Sequence, residues 1–175
     1  MYIATPTGRH LPLAEAAAAQ GKHVITEKSL ERSVERAEDL RRVCAEADVT
    51  LMVAYRPRTE LAFLRAREMV RDSVIGDPTH VERTFSFQVL DIGGSNQWRI
   101  DPKLAGGGAL MDAGVYLASL SRFFLDAEPI SVTGTTVSKD DAFDTHSYAR
   151  VLVQRGARHY SDSRHRTPQR HLRVS

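Results

Sequence analysis

The sequence predicts an α/β unit followed by an α+β unit. Two observations carry this expectation. Up to Tyr55, strand-length apolar runs alternate with stretches of helical period, the order that builds a parallel sheet covered by helices. Beyond Pro57 the strand-like runs are longer and separated by polar segments, which suits antiparallel pairing.

Tyr2 to Pro6 reads as an apolar strand running into a Thr/Pro loop. Leu11 to Gln20 is Ala-rich and helical, closed by Gly21, and His23 to Thr26 follows as a buried strand. Ser33 stands at the cap of a helix whose Val34, Ala37, Leu40, Val43 and Ala47 recur at about 3.6 residues, and Thr50 to Tyr55 is the next strand. After Pro57, the spacing of Leu61, Leu64, Ala66, Met69 and Val70 predicts a helix ending before Gly76. Thr79 to Val89 reads as a long strand and Asp91 to Gly108 as a glycine-rich connection. A helix over Ala109 to Leu125 precedes strands at Ile130 to Val137 and His146 to Val153, with Ser138 to Thr145 as an acidic turn. The expected division is 1–56, 57–154 and a basic, disordered tail over 155–175.

The composition is globular, with 42% hydrophobic and 26% charged residues. Its net charge of +2 is unevenly spread. Residues 155–175 hold six Arg and one Asp, formally +5, whereas residues 1–154 hold 18 Lys or Arg against 21 Asp or Glu, formally −3. The tail lacks a recognition-helix pattern, paired Cys/His spacing and interleaved aromatics, so nucleic acid is not the expected partner. No apolar run approaches a membrane span and no signal-peptide pattern opens the chain, so a cytoplasmic location is expected and a membrane partner is not. Cys44 is the single cysteine, which rules out an internal disulfide and a Cys-based zinc cluster. His10, His23, His80 and His146 show no metal-ligand spacing.

Three places can carry chemistry. Glu27-Lys28 follows a buried strand, where open α/β sheets bind ligands beyond their carboxyl ends, although a strand-end ion pair reads equally well. Asp112 and Tyr116, at i and i+4, share one helical face behind Gly106-Gly107-Gly108 and can hold a substrate hydroxyl between them. Equally, Asp112 can serve the helix N-terminus while Tyr116 packs. Trp98-Arg99 offers an apolar wall and a bidentate grip for a phosphate or carboxylate, or an anchor for a long loop.

Together, Tyr2 to His10, Gly21 to Lys28, Trp98-Arg99 and Gly106 to Tyr116 resemble the Gfo/Idh/MocA oxidoreductases, in the glucose-fructose oxidoreductase and sugar dehydrogenase branch. The resemblance runs from residue 1 to about residue 154. It implies the carboxyl-terminal part of a Rossmann-like NAD(P)-binding domain with a partial parallel sheet. An incomplete, mostly antiparallel substrate and oligomerisation domain would follow, and a homo-oligomer is a possible partner state. It further implies that Thr5, Pro6, Glu27, Lys28, Trp98 and Arg99 lie on NAD or NADP. Asp112 would bind a sugar or polyol, and Lys28 and Tyr116 would be catalytic. Hydride would leave a substrate C–H for the nicotinamide while Tyr116 takes the hydroxyl proton, Lys28 favouring its phenolate.

The sequence departs from the family pattern in three ways. No G-x-G-x-x-G loop occurs in it, Ser29 stands where Pro usually follows Glu-Lys, and an Arg/His/Ser stretch replaces the later substrate-domain strands. These departures predict a truncated or frame-shifted product with little or no dehydrogenase activity as an isolated chain. The alternative expectation is a non-catalytic interaction protein or a non-functional remnant.

Overall fold

The computed structural model describes residues 1–78, 80–85, 98–138 and 144–154. Three parallel strands, β1 (Tyr2–Ile3), β2 (Val24–Glu27) and β3 (Leu51–Ala54), form the first sheet in that order. Tyr2 pairs with Ile25, and Val24 to Glu27 pair in register with Leu51 to Ala54. Helix α1 (His10–Ala18) crosses from β1 to β2, and α2 (Val34–Glu46) crosses from β2 to β3.

Local chemistry accounts for the boundaries. A 3₁₀ turn, Thr7–Arg9, leads into α1, which gives way to Gly21 at φ 63° after Gly21 N–H donates to Ala18 O. Ser33 caps α2, its hydroxyl accepting from Arg36 N–H, as the sequence predicts. Both helices lie over one face of the sheet, where Ile3, Leu11, Ala14, Ala17, Val24, Leu40 and Cys44 form the core. The strand expected to be buried over His23 to Thr26 is buried on this face alone. Val24 and Thr26 point inward, while Ile25 is 41% exposed, because successive side chains of a strand alternate.

The second unit begins with a 3₁₀ turn, Arg56–Arg58, and α3 (Leu61–Arg71). The short helix α4 (Pro102–Ala105) follows a 3₁₀ turn at 98–100, so the connection expected over Asp91 to Gly108 is partly helical. Residues Leu110–Gly114 form a π-helical turn that runs directly into α5 (Val115–Leu125). The single regular helix expected from Ala109 therefore changes its winding where Asp112 sits. Asp101 caps α4 through Lys103 N–H, which explains the interruption: an Asx cap and a proline at the first helical turn start a new element.

Helix α3 packs on α5 through Phe63 and Phe124, with ring centroids 6.2 Å apart, and the Arg67 guanidinium lies 4.6 Å from the Phe123 centroid. Residues 80–85, within the strand expected over Thr79 to Val89, are not a strand; residue 79 and 86–89 lie outside the described residues. Strands β4 (Glu128–Ser138) and β5 (Asp144–Gln154) pair antiparallel, with Val132 opposite Val151 and Thr135 opposite Tyr148. The turn expected over Ser138 to Thr145 and the basic tail fall largely or wholly outside the described residues. Every residue of β4 is exposed, so the ribbon projects its apolar side chains from both faces. Among the described residues, no helix is long and apolar enough to cross a membrane, and no group of three His, Cys, Asp or Glu side chains is placed to hold a metal ion.

Candidate active site

The carboxyl ends of the parallel strands share one edge of the sheet. There β1 feeds the Thr5–Thr7 loop, β2 ends in Glu27 and Lys28, and β3 leads to Tyr55. This is the edge at which open parallel sheets receive ligands. The π-helical turn of the second unit reaches it across the joint between the two units.

Lys28 carries the joint. Its Nζ donates to the Asp112 carbonyl at 2.6 Å and to Asp112 Oδ1, while Arg99 Nε donates to Asp112 Oδ2 at 3.1 Å. Both carboxylate oxygens are thus held by cations. The three side chains are 14%, 20% and 26% exposed, in the order Lys28, Asp112, Arg99, so the pairs are partly buried. The adjacent Ser29 hydroxyl donates to Met111 O at 2.5 Å, so two consecutive residues after β2 engage two consecutive carbonyls of the π-helical turn. Such a turn shifts the hydrogen-bonding ladder by one residue.

Tyr116 lies one turn on. The Lys28 ammonium sits 5.1 Å from the centroid of its ring, and Tyr55 meets that ring edge-on with centroids 6.0 Å apart. Burial pushes the Tyr116 hydroxyl above the usual 10, and the negative charges of Glu27 and Asp112 push it the same way. Lys28 is over the ring face rather than at the oxygen and is already matched by Asp112. The proposed phenolate-favouring role therefore has no direct contact behind it in this arrangement. Tyr116 holds its proton here.

The remaining residues singled out in the sequence are placed around this cluster. Glu27 accepts from the Tyr2 hydroxyl, and the Arg99 guanidinium stacks 4.6 Å from the Trp98 centroid. Thr5 Oγ1 lies 3.5 Å from Pro6 O in the loop after β1. A cavity of ≈ 10 Å³ lies among Thr7, Ser29, Trp98, Arg99 and Asp112, room for about one water and too small for a sugar ring. A ligand larger than water must reach Asp112 from the Tyr116 side or displace the Arg99 side chain.

Sequence reasoning missed three supports. Tyr55 was findable, as the residue at the carboxyl end of β3. Buried His10 lies with one ring nitrogen 3.0 Å from Thr5 O and the other 3.0 Å from Leu30 O, linking the loops after β1 and β2. Glu31, whose side chain is fully buried, accepts from Arg36 Nε and Nη2 at 2.8 Å each, from Arg32 N–H at 2.8 Å and from Leu11 N–H at 3.1 Å. A remote carboxylate capping α1 has no local sequence signal.

Whether a nicotinamide dinucleotide suits these residues can be judged from the donor set. Polar loops at the strand ends, two cations and the Trp98 ring suit its nicotinamide and ribose end. The G-x-G-x-x-G loop that would cradle a pyrophosphate does not occur in this sequence.

Two family models match the sequence. Residues 1–55 match the model of the oxidoreductase family, NAD-binding Rossmann fold, and residues 63–170 match the GFO/IDH/MocA C-terminal domain. D-xylose 1-dehydrogenase [NADP(+)] of Haloarcula marismortui is 43% identical over 144 residues, covering 82% of this chain and 40% of that protein. D-xylose 1-dehydrogenase (NADP(+)) 2 of Haloferax volcanii is 36% identical over 169 residues, covering 97% and 51%. An inositol dehydrogenase homolog complexed with NAD+ from Azotobacter vinelandii superposes with a TM-score of 0.80 at 26% identity, covering 89% of this chain and 43% of that one. The chain thus spans about half the length, or less, of these proteins.

Proposed function

The chain belongs to the Gfo/Idh/MocA oxidoreductase family, and from that premise we propose that it carries the hydroxyl-binding, proton-handling part of an NAD(P)-dependent sugar or polyol dehydrogenase. The observation that carries this reading is the convergence of Lys28, Asp112 and Tyr116 at the carboxyl edge of a parallel sheet. The named activities of the two xylose dehydrogenases support a sugar as substrate and NADP as one of the two candidate cofactors.

In this reading Asp112 and Lys28 orient a substrate hydroxyl, one as acceptor and the other as donor, and Tyr116 Oη exchanges its proton. A phenol held protonated is suited to give its proton to the oxygen of a carbonyl as that oxygen gains charge. By microscopic reversibility the same Oη takes the proton back in the oxidative direction. A bound nicotinamide supplies the hydride donor or acceptor. Thr5, Pro6, Glu27 and Lys28 of a 1–56 Rossmann-like part, together with Trp98 and Arg99 from beyond it, are the residues we assign to its nicotinamide half. Residues 57–154 would be the substrate part.

The test uses the folded 175-residue chain. Saturation-transfer NMR with xylose and myo-inositol reads substrate contact, and nicotinamide fluorescence reads NADH and NADPH. The reading expects sugar contact that is lost in Asp112→Asn and Tyr116→Phe, and cofactor binding that weakens in Lys28→Met. Absence of sugar contact in a chain shown to be folded overturns the substrate assignment; absence of binding by either cofactor at millimolar concentration overturns the cofactor assignment.

A further inference from the structure

A second concave surface lies on the far side of α4 from Asp112. It is an open groove of ≈ 710 Å³ between the start of α1, the start of α2 and α4, and Arg9, Arg32, Arg36 and Lys103 all line it. Its acidic side chains are few. Glu31 is fully buried and committed to Arg36, which leaves Glu15 as the acid on the lining. Arg32 Nη1 lies 3.5 Å from the Lys103 carbonyl, and neither Arg9 nor Lys103 forms an ion pair among the described residues. Four cations from three elements therefore line the groove, and among the described residues Arg36 is the one of them held in an ion pair.

The backbone keeps them together. A Cβ on Gly8 would fall 2.5 Å from Lys103 O, so the Thr7–Arg9 turn and α4 are in direct contact beside Arg9 and Lys103. Gly106, at φ 79°, brings the end of α4 against Arg32 in the same way. Like charges held on rigid, touching elements repel unless an anion joins them. Guanidinium forks and an ammonium approaching from several sides match a tetrahedral oxyanion. The lining also includes Leu11, Pro12 and Leu104, an apolar wall that a bare ion does not need.

We propose that this groove is a binding site for the phosphate group of a small phosphorylated organic molecule, separate from the Lys28–Asp112–Tyr116 centre. The ligand bridges the two units, because Arg9, Arg32 and Arg36 belong to the first and Lys103 to the second.

The test titrates the folded chain with inorganic phosphate and with glucose 6-phosphate, chloride being adjusted to constant ionic strength, and follows ³¹P line width together with Tm. The expected result is saturable binding, with glucose 6-phosphate displacing inorganic phosphate. Affinity falls about tenfold or more in Arg9→Gln/Lys103→Gln, stays within about twofold in Arg99→Gln, and rises in Glu15→Gln. The rise is informative because damage to the fold does not strengthen binding. A Tm change reproduced by chloride alone, unchanged affinity in the double variant, or loss in Arg99→Gln instead overturns the site. Binding of inorganic phosphate without competition from the ester overturns the organic ligand and assigns the free ion.

Discussion

Removing the charge of Asp112 tests whether the two units are joined as described. Asp112→Asn leaves Lys28 and Arg99, 14% and 26% exposed, facing a neutral amide. Taking one partner from a fully buried pair costs about 3–5 kcal/mol, whereas exposed pairs contribute about 0.2–1 kcal/mol. With groups about a fifth exposed, the expected loss is about 2–3 kcal/mol. Lys28→Met is milder, about 1–2 kcal/mol, because Arg99 still compensates Asp112 and the methionine stem still covers the Tyr116 ring. Once the carboxylate is gone, the Lys28 charge is a liability, so the double variant recovers part of the loss. The coupling expected between the two substitutions is about 1–2 kcal/mol. Urea unfolding followed by circular dichroism and Trp98 fluorescence measures all four corners of the cycle. For a chain of this size the Asn variant alone should lower Tm by roughly 4–10 °C. Additivity within about 0.5 kcal/mol would refute the contact, and with it the joint on which the site is built.

Three further outcomes are expected. Burial works against the Glu31 charge, but hydrogen bonds from Arg36, Arg32 N–H and Leu11 N–H outweigh it and hold the carboxyl below the usual 4.5. Its stabilisation is therefore complete above the unfolded carboxyl range and lost as pH falls through the folded value. Glu31→Gln should cost about 2–4 kcal/mol at neutral pH and flatten the acid side of a Tm–pH curve; an unchanged acid side would count against it. Tyr116 and Tyr55 both ionise above the usual 10, burial being the first cause for each, so the stabilisation linked to their protons is present below 10 and lost as pH rises beyond it. Tyr116→Phe should remove part of the late phase of an alkaline absorbance titration, and loss of an early phase instead would place Tyr116 in water. Gly106→Ala puts a Cβ 2.3 Å from Arg32 Cβ at a φ that only glycine adopts easily, and a loss of about 2 kcal/mol or more is expected by urea unfolding.

Much of the fold was legible because it is locally encoded. The 3.6-residue spacing from Val34 to Ala47 and the Ser33 cap define α2, and the apolar run up to Tyr55 holds β3. What escaped depends on distant partners. The Asp101 cap that starts α4 inside a glycine-rich stretch has a local signal, but the π-helical winding around Asp112 has none in the residues themselves. Asp112 and Tyr116 could be placed on one face by their spacing. That Lys28, 84 positions before Asp112, would take one of its oxygens and Arg99 the other is a fact of packing between units. Arg99, assigned to a cofactor by resemblance, has its Nε on the Asp112 carboxylate, and its cofactor role stands as a proposal.

The geometry of that carboxylate decides how the site can work. With Oδ1 on Lys28 and Oδ2 on Arg99, Asp112 has its strongest donors already in place, and a neutral hydroxyl must share an oxygen or displace one of them. Displacing Lys28 is the harder course, because its Nζ is also held by the Asp112 carbonyl and covered by the Tyr116 ring. Arg99 is the more exposed of the two cations and meets the carboxylate through Nε. Under the proposed function, a substrate hydroxyl replaces the Arg99 contact rather than the Lys28 one, which leaves Lys28 between Asp112 and Tyr116. Arg99→Gln should then weaken cofactor binding more than sugar contact, while Lys28→Met weakens both. The opposite ranking would show that Arg99 remains on Asp112 when substrate binds and that Lys28 is the group that moves.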